Sequence, residues 1–258
     1  MCLAIVALDA HPRFALLVAA NRDEYHARPA LPAAWWRAAE GGVEILAGRD
    51  LEAGGTWLGV NRQGRFAFVT NVREPGRHDP AAPSRGGLVP AVLADRRDIA
   101  VAVADTVRKT TRYNGFNLLA GDRSSAFWAS NRATTQSALD AGVHGISNAA
   151  LDTPWPKLLR TRAGVAHWAA QGREDMETLF ALLGDRTQPP DDALPSTGVS
   201  LEWERTLSSP FIAGDRYGTR CSTVLTIARD GAVRFEERAF DPHGTPAGTT
   251  VHAFSLVS

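Results

Sequence analysis

Six consecutive apolar residues, Leu3 to Leu8, follow Met1-Cys2, and a second run of the same kind spans Phe14–Ala20. Short continuous apolar runs bounded by turn residues read as buried strands. Asp9-Ala10-His11-Pro12-Arg13 between them has the length and the proline of a hairpin loop. The second run stops at four polar residues, Asn21-Arg22-Asp23-Glu24. Residues 25–42 hold Pro29, Pro32 and Gly41-Gly42 and read as an irregular excursion. Strands are predicted at Ile45–Gly48, Thr56–Val60 and Arg65–Val72, the last two joined by the turn Asn61-Arg62-Gln63-Gly64. Leu88–Arg97 and Ile99–Lys109 repeat their apolar positions at helical spacing and predict two helices. Strands resume at Asn114–Ala120, Ala126–Ser130 and Val143–Ser147. Helices are predicted over Trp155–Gln171, with Pro154 and Pro156 suited to its first turn, and over Asp175–Leu183. Gln188–Gly198 is a proline-rich loop, and strands Ser222–Ala228, Val233–Phe240 and Thr250–Leu256 complete the pattern.

Strands, helices, strands, helices, strands is not the regular alternation of a Rossmann or TIM layout. Hairpin connections dominate, so the sheets are expected to be mostly antiparallel. The expectation is an α+β fold of two packed antiparallel sheets with helices outside each, built as one domain over residues 1–258. No repeat or linker divides the chain. Gly54-Gly55 and Gly86-Gly87 read as turns, since neither belongs to a phosphate-binding fingerprint.

Composition narrows the function. The chain has 258 residues, 44% hydrophobic and 22% charged, with a formal net charge of zero. No global field favours nucleic acid or an anionic membrane. The basic residues are almost all arginine, Lys109 and Lys157 being the only lysines, as a GC-rich genome would produce. Two cysteines, Cys2 and Cys221, make no disulfide framework, which points to a reducing cytoplasm. The N-terminal apolar run is too short to span a bilayer. The seven histidines are scattered without metal-ligand spacing, so neither a metal nor a cofactor is expected.

Cys2 carries the candidate chemistry. A side chain this small at position 2 permits removal of Met1, so the mature chain is expected to begin with cysteine. One residue then holds a thiol (~8.5) and an α-amino group (~7.7–8.0), a nucleophile with its own base. Alone, a cysteine at position 2 is more often a small buried strand residue. Antiparallel pairing of the first two runs brings Arg22, Asp23 and Glu24 to the N-terminus. A guanidinium there favours the thiolate, and a carboxylate, Asp23 or Glu24, orients the amine. Period two sends Arg22 and Glu24 to one face and Asp23 to the other; the same four residues also suit a solvated turn. Asn71 and Asn148 stand at strand ends, as oxyanion donors or as turn caps. Arg220 precedes a strand, as a second cation for the site or a surface residue.

Several stretches together carry a resemblance. Met1-Cys2, Asn21-Arg22-Asp23-Glu24, Leu46–Leu51, Gly54–Gly59, Thr70-Asn71, Ser84-Arg85-Gly86, Gly115–Leu118, Ser147-Asn148 and Leu151–Lys157 resemble the NRDE family, which includes the transport and Golgi organisation protein 2 group. That family is similar to Ntn hydrolases of the choloylglycine hydrolase and penicillin V acylase branch. The resemblance implies a four-layer αββα fold with an N-terminal cysteine nucleophile. Cys2, Arg22, Asp23, Asn71, Asn148 and Arg220 match the branch's site roles in chain order. One departure is that Arg22 and Asp23 are adjacent, whereas the acylases separate the two. The implied function is an Ntn-type amidase or acylase acting on a small linear amide or acyl substrate. The alternative, implied by the family's eukaryotic members, is non-catalytic binding or trafficking of haem or an acyl metabolite. Trp35, Trp36, Trp57 and Phe68 are candidates to line such a pocket, or are core.

Overall fold

The computed structural model of the chain describes residues 3–38, 42–134 and 136–257. Cys2 and the Met1 removal expected before it lie outside the described residues.

One sheet is built from β1 (Leu3–Leu8), β2 (Phe14–Tyr25), β10 (Gly142–Ile146), β11 (Tyr217–Ala228), β12 (Ala232–Phe240) and β13 (Pro246–Ser255). Its strand order is β10-β1-β2-β11-β12-β13. The other holds β3 (Ala30–Arg37), β4 (Glu44–Asp50), β5 (Leu58–Asn61), β6 (Phe66–Asn71), β7 (Phe116–Gly121), β8 (Ala126–Ser130) and β9 (Ser137–Ala138), in sequential order. Every pairing in the two sheets is antiparallel. The helices are α1 (Leu88–Ala94), α2 (Ile99–Arg108), α3 (Pro156–Ala170), α4 (Met176–Leu183) and α5 (Leu201–Thr206).

Three apolar layers follow from the period-two alternation of the strands. Ala4, Val6 and Leu8 of β1 face the other sheet and pack with Leu46, Phe66 and Phe68. Leu3, Ile5 and Ala7 face outward onto Leu158, Val165 and Trp168 of α3 and Leu179 of α4. On the far side, Val89, Val92 and Leu93 of α1 and Val103 of α2 cover Ala67, Val69 and Leu118. The order helix, sheet, sheet, helix is the expected αββα sandwich. All six residues of β1 are buried because both faces of the strand are covered, which is why its sequence shows no alternation. β1 lies inside its sheet, between β10 and β2.

Several elements differ from their sequence reading. β2 does not stop at Ala20 but runs through Asn21-Arg22-Asp23-Glu24 to Tyr25, and Asn21, Arg22 and Asp23 are buried. The motif is therefore strand, not a solvated turn. Residues 30–37, read as irregular, form β3, which tolerates Pro32 because it is an edge strand with a register shift between Leu31 and Ala34. β11 begins at Tyr217, five residues before the expected start, with a bulge at Arg220. The first predicted helix ends at Ala94 instead of Arg97, with Asp95 extended. α5 was not predicted; Ser200 caps it, its hydroxyl accepting from Trp203 N. Among the described residues no helix is long and apolar enough to cross a membrane.

Candidate functional site

The register fixes what surrounds the first described residue. Leu3 pairs with Asn21 of β2, and Ala4 pairs with Ile146 of β10. The start of β1 thus lies between the Asn21–Glu24 segment and the Ser147-Asn148 turn. That turn is held by Asp152, which has a left-handed backbone (φ 55°). The Asp152 carboxylate accepts from Gly145 N at 2.8 Å and from Arg162 at 2.8 Å, and its other oxygen meets His144 Nδ1 at 2.8 Å. Asp152 thereby ties the end of β10 to α3.

The four motif residues divide by strand parity. Asn21 Nδ2 donates to the carbonyls of Leu183 and Pro210, both at 2.8 Å, and its Oδ1 accepts from Ser222 Oγ at 2.6 Å. It fastens β2 to the end of α4 and to β11. Asp23, on the same face, accepts from Thr219 Oγ1 at 2.7 Å, while that hydroxyl accepts from Ile212 N at 2.9 Å. Arg22 faces the other sheet. Its guanidinium lies 4.3 Å from the Trp57 ring centroid, and Nη2 is 3.3 Å from Asp50 Oδ2. Its Nη1 is buried with no hydrogen-bond partner among the described residues. Glu24 shares this inward face and is half-buried.

Asp50 also accepts from Arg28 Nε at 2.6 Å and from the backbone N–H groups of Glu52 and Ala53. Burial opposes its ionisation, but hydrogen bonds from Arg28 and Ala53 and the Arg28 and Arg22 charges outweigh that. The carboxyl is held below the usual aspartate value. Asp50 is therefore a fixed anion that holds two guanidinium groups in place.

Two cavities meet at Arg22 and Trp57, which line both. The smaller, about 90 Å³, is lined by Glu24, Asn71 and Ser84 among others. The larger, about 310 Å³, opens between the sheets beside Leu31, Arg220, Cys221 and Glu237. The Trp57 ring packs on bare backbone, since a Cβ on Gly48 would lie 2.3 Å from its Cζ2. A Cβ on Gly55 would lie 2.3 Å from the Gly86 carbonyl carbon, and Thr56 N donates to Gly86 O at 3.0 Å. Gly55, two residues before Trp57 in the chain, and Gly86 thus pack backbone to backbone.

The other predicted residues are placed as follows. Asn71 ends β6 and lines the smaller cavity, and its carbonyl accepts from Asn148 Nδ2 at 2.9 Å. Asn148 bridges the two sheets at this point and lines neither cavity. Arg220, at the bulge, lines the larger cavity. Its Nη1 donates to the carbonyls of Tyr25, His26 and Arg28 at 3.0–3.2 Å, so it also pins the turn after β2.

Three cavity residues were not singled out from sequence. Asp50 lies in a stretch that carried the resemblance but had no assigned role. Glu237 sits in the Glu236-Glu237-Arg238 run, which looks solvated, yet both glutamates are buried. Cys221 is buried beside Glu237; burial, then the Glu237 charge, pushes its thiol well above the ordinary value. It is a neutral thiol, unsuited to nucleophilic attack. No group of three or more His, Cys, Asp or Glu residues that could hold a metal exists among the described residues. No histidine lines either cavity.

Burial raises the Glu237 carboxyl against the opposing hydrogen bonds from Ala33 N, Cys221 and Thr223 and the Arg22 charge. In the unfolded chain a glutamate ionises near ~4.3. The folded protein keeps the Glu237 proton to higher pH, so across that interval it binds more protons and loses stability as pH rises. Glu237→Gln removes this slope, and its amide oxygen still accepts from Ala33 N (2.8 Å in the parent). Urea titrations are expected to show the variant gaining stability over the parent as pH rises above ~4.3. Parallel profiles would mean that Glu237 ionises normally in the fold.

Comparison with known proteins gives the family and the fold. A family model for Transport and Golgi organisation 2 matches residues 1–242. The "Transport and Golgi organization protein 2 homolog" of Bos taurus is 34% identical, and that of Homo sapiens 32%, each alignment covering 100% of both chains. The Drosophila melanogaster "Transport and Golgi organization protein 2" is 28% identical over 95% of each chain. Among solved structures, a Caenorhabditis elegans N-acylethanolamine-hydrolyzing acid amidase ortholog matches with TM-score 0.52 and 12% identity, covering 87% of this chain and 92% of that one. A mutant of the conjugated bile acid hydrolase from Clostridium perfringens matches with TM-score 0.53 and 8% identity, covering 99% and 92%. These structures share the two-sheet sandwich of the Ntn hydrolases, and by sequence the chain belongs to the Transport and Golgi organisation 2 family.

Proposed function

We propose that the protein is an Ntn-type hydrolase in which Cys2 cleaves a small linear amide or acyl substrate. The observation that carries the reading is Arg22: a buried guanidinium whose Nη1 has no partner among the described residues, at the junction of two cavities, on the strand that pairs with Leu3. A buried charge with an unused donor is costly unless something else receives that donor. A thiolate on the residue bonded to Leu3, or an anionic substrate group, fits that need. The solved neighbours are an amidase and a bile acid hydrolase, and they support the reading through fold alone.

In the proposed reaction the Cys2 sulfur attacks the substrate carbonyl. The α-amine takes the thiol proton and passes it to the departing nitrogen as the C–N bond breaks. Water then attacks the thioester, the amine again moving the proton, and the acid product leaves with the thiol restored. Arg22 stabilises the thiolate. Asn71 and Asn148 serve the oxyanion; one Asn148 amide hydrogen is committed to the Asn71 carbonyl, and the second is available. Asp23 orients the amine, and Arg220 supports the wall of the larger cavity.

A carrier of an acyl metabolite or haem is the second reading. The observation favouring it is that Asn148, an expected oxyanion donor, is bound to Asn71 and lines neither cavity. A chromogenic short-chain acyl amide separates the two. An enzyme releases the chromophore with a burst equal to its active sites and then turns over. A carrier binds acyl ligand or shifts a haem Soret band while the amide stays intact.

A further inference from the structure

A separate cavity of about 510 Å³ lies near the far end of β2, lined by Tyr25, Trp203, Tyr217, Glu202, Asp215 and Arg216 among others. Strand parity puts Tyr25 on the same face as Asn21 and Asp23, away from Arg22 and the two cavities described above. The three rings come from three elements. Tyr25 and Tyr217 are register partners across β2 and β11. Their centroids are 5.2 Å apart with ring planes at 74°. Trp203 of α5 meets Tyr217 at 5.9 Å and 77°. Tyr217 thus stands nearly at right angles to both neighbours, as adjoining walls of a corner do.

Several aromatic rings of the chain are already covered by a cation. Arginines stack over Phe14, Trp35, Trp36, Trp57 and Trp155. Among the described residues none stacks over Tyr25 or Trp203, although Arg216 lines the same cavity. Both rings remain open to solvent, Tyr25 at 56% and Trp203 at 42% exposure. Two carboxylates, Glu202 and Asp215, against one guanidinium, Arg216, leave the lining with an excess of one negative charge. The walls are held before any ligand arrives. His26 Nε2 donates to Gly214 O at 2.8 Å, His26 N donates to Arg216 O at 2.9 Å, and Arg220 holds the Tyr25 carbonyl.

We propose that this corner binds a quaternary ammonium group, its methyls against the Trp203 and tyrosine rings and its charge facing Glu202 and Asp215. A ring face attracts a cation through its quadrupole, most strongly at tryptophan. In a cavity open to water a primary ammonium keeps its hydration, whereas a methylated one is weakly hydrated and contacts rings readily. The site is independent of Cys2 and of the hydrolase reading.

Calorimetry with the full chain tests it. Choline is the probe, and its neutral isostere 3,3-dimethylbutan-1-ol is the control. Choline is expected to bind about tenfold more tightly than the alcohol, the ratio a ring–cation contact supplies. Trp203→Ala, and separately the pair Glu202→Gln with Asp215→Asn, should each weaken choline by about tenfold. Their effect on the alcohol should be smaller. Melting curves of both variants confirm that the fold persists, and Trp203→Phe should retain part of the affinity. Flotation with phosphatidylcholine vesicles distinguishes sources: choline binding without flotation marks a free metabolite, and Trp203-dependent flotation marks a lipid headgroup. Equal affinity for choline and the alcohol, binding that the variants leave unchanged, or neither binding nor flotation overturns the proposal.

Discussion

Cys2→Ala is expected to reduce amide hydrolysis to background, a fall on the order of 10⁶ where a nucleophile works as a unit with its base. It should also end covalent labelling by a thiol-reactive acyl probe, read as the loss of one acyl mass on the intact chain. The second cysteine does not confuse this test, since Cys221 is buried and holds its proton. Alanine is small enough that Met1 should still be removed, so the variant isolates the thiol. The amine needs its own test. A chain carrying one residue before Cys2 keeps the thiol but lacks the α-amine beside it. That chain should label slowly and turn over as poorly as the alanine variant. Undiminished hydrolysis by the extended chain would sink the amine as base, and undiminished hydrolysis by Cys2→Ala would sink the enzyme reading. A carrier would bind the acyl ligand and leave the amide intact, in the parent as in both altered chains.

Legibility in the sequence followed the side chains that report burial by being apolar. Leu3–Leu8 and Phe14–Ala20 are continuous apolar runs because helices cover one face and the second sheet covers the other. The same physics hid the end of β2. Asn21, Arg22 and Asp23 are as buried as the residues before them, but each has a polar partner distant in sequence: Pro210 for Asn21, Asp50 for Arg22, Thr219 for Asp23. Polarity marks a turn only when the polar groups meet water, and no local pattern shows that these do not. The opposite parity of Arg22 and Asp23 did follow from the strand period, and the placement of Arg22 and Glu24 on one cavity follows it. β3 was hidden by Pro29 and Pro32, which an edge strand tolerates. Glu237 left no trace, because its burial depends on β3 from the other sheet supplying Ala33 N.

Arg22→Met is the sharpest separation of stability from function in this fold. The methionine fills most of the arginine's volume and adapts to the Trp57 ring. Asp50 is not orphaned, because Arg28 and the N–H groups of Glu52 and Ala53 still bind it. The parent guanidinium carries a buried Nη1 with no partner among the described residues, and methionine removes the cost of desolvating it. Removing one partner of a buried ion pair costs ~3–5 kcal/mol when it strands the other charge, but Arg28 stays paired with Asp50, so that cost does not arise. Arg22→Met is therefore expected to melt at or above the parent temperature. Its chemistry should nevertheless fail. Without the guanidinium the Cys2 thiol loses the cation proposed to favour its thiolate, and the junction of the two cavities loses its charge. Turnover should fall by about 10²–10³, the scale of removing one preorganised electrostatic contact. The pH profile of labelling should shift upward toward an ordinary thiol near ~8.5. The upward shift is the part that a packing role alone would not produce. A variant that is destabilised, with its labelling profile unmoved, would assign Arg22 to holding Trp57 and Asp50 in place, and the thiolate would need another source of stabilisation.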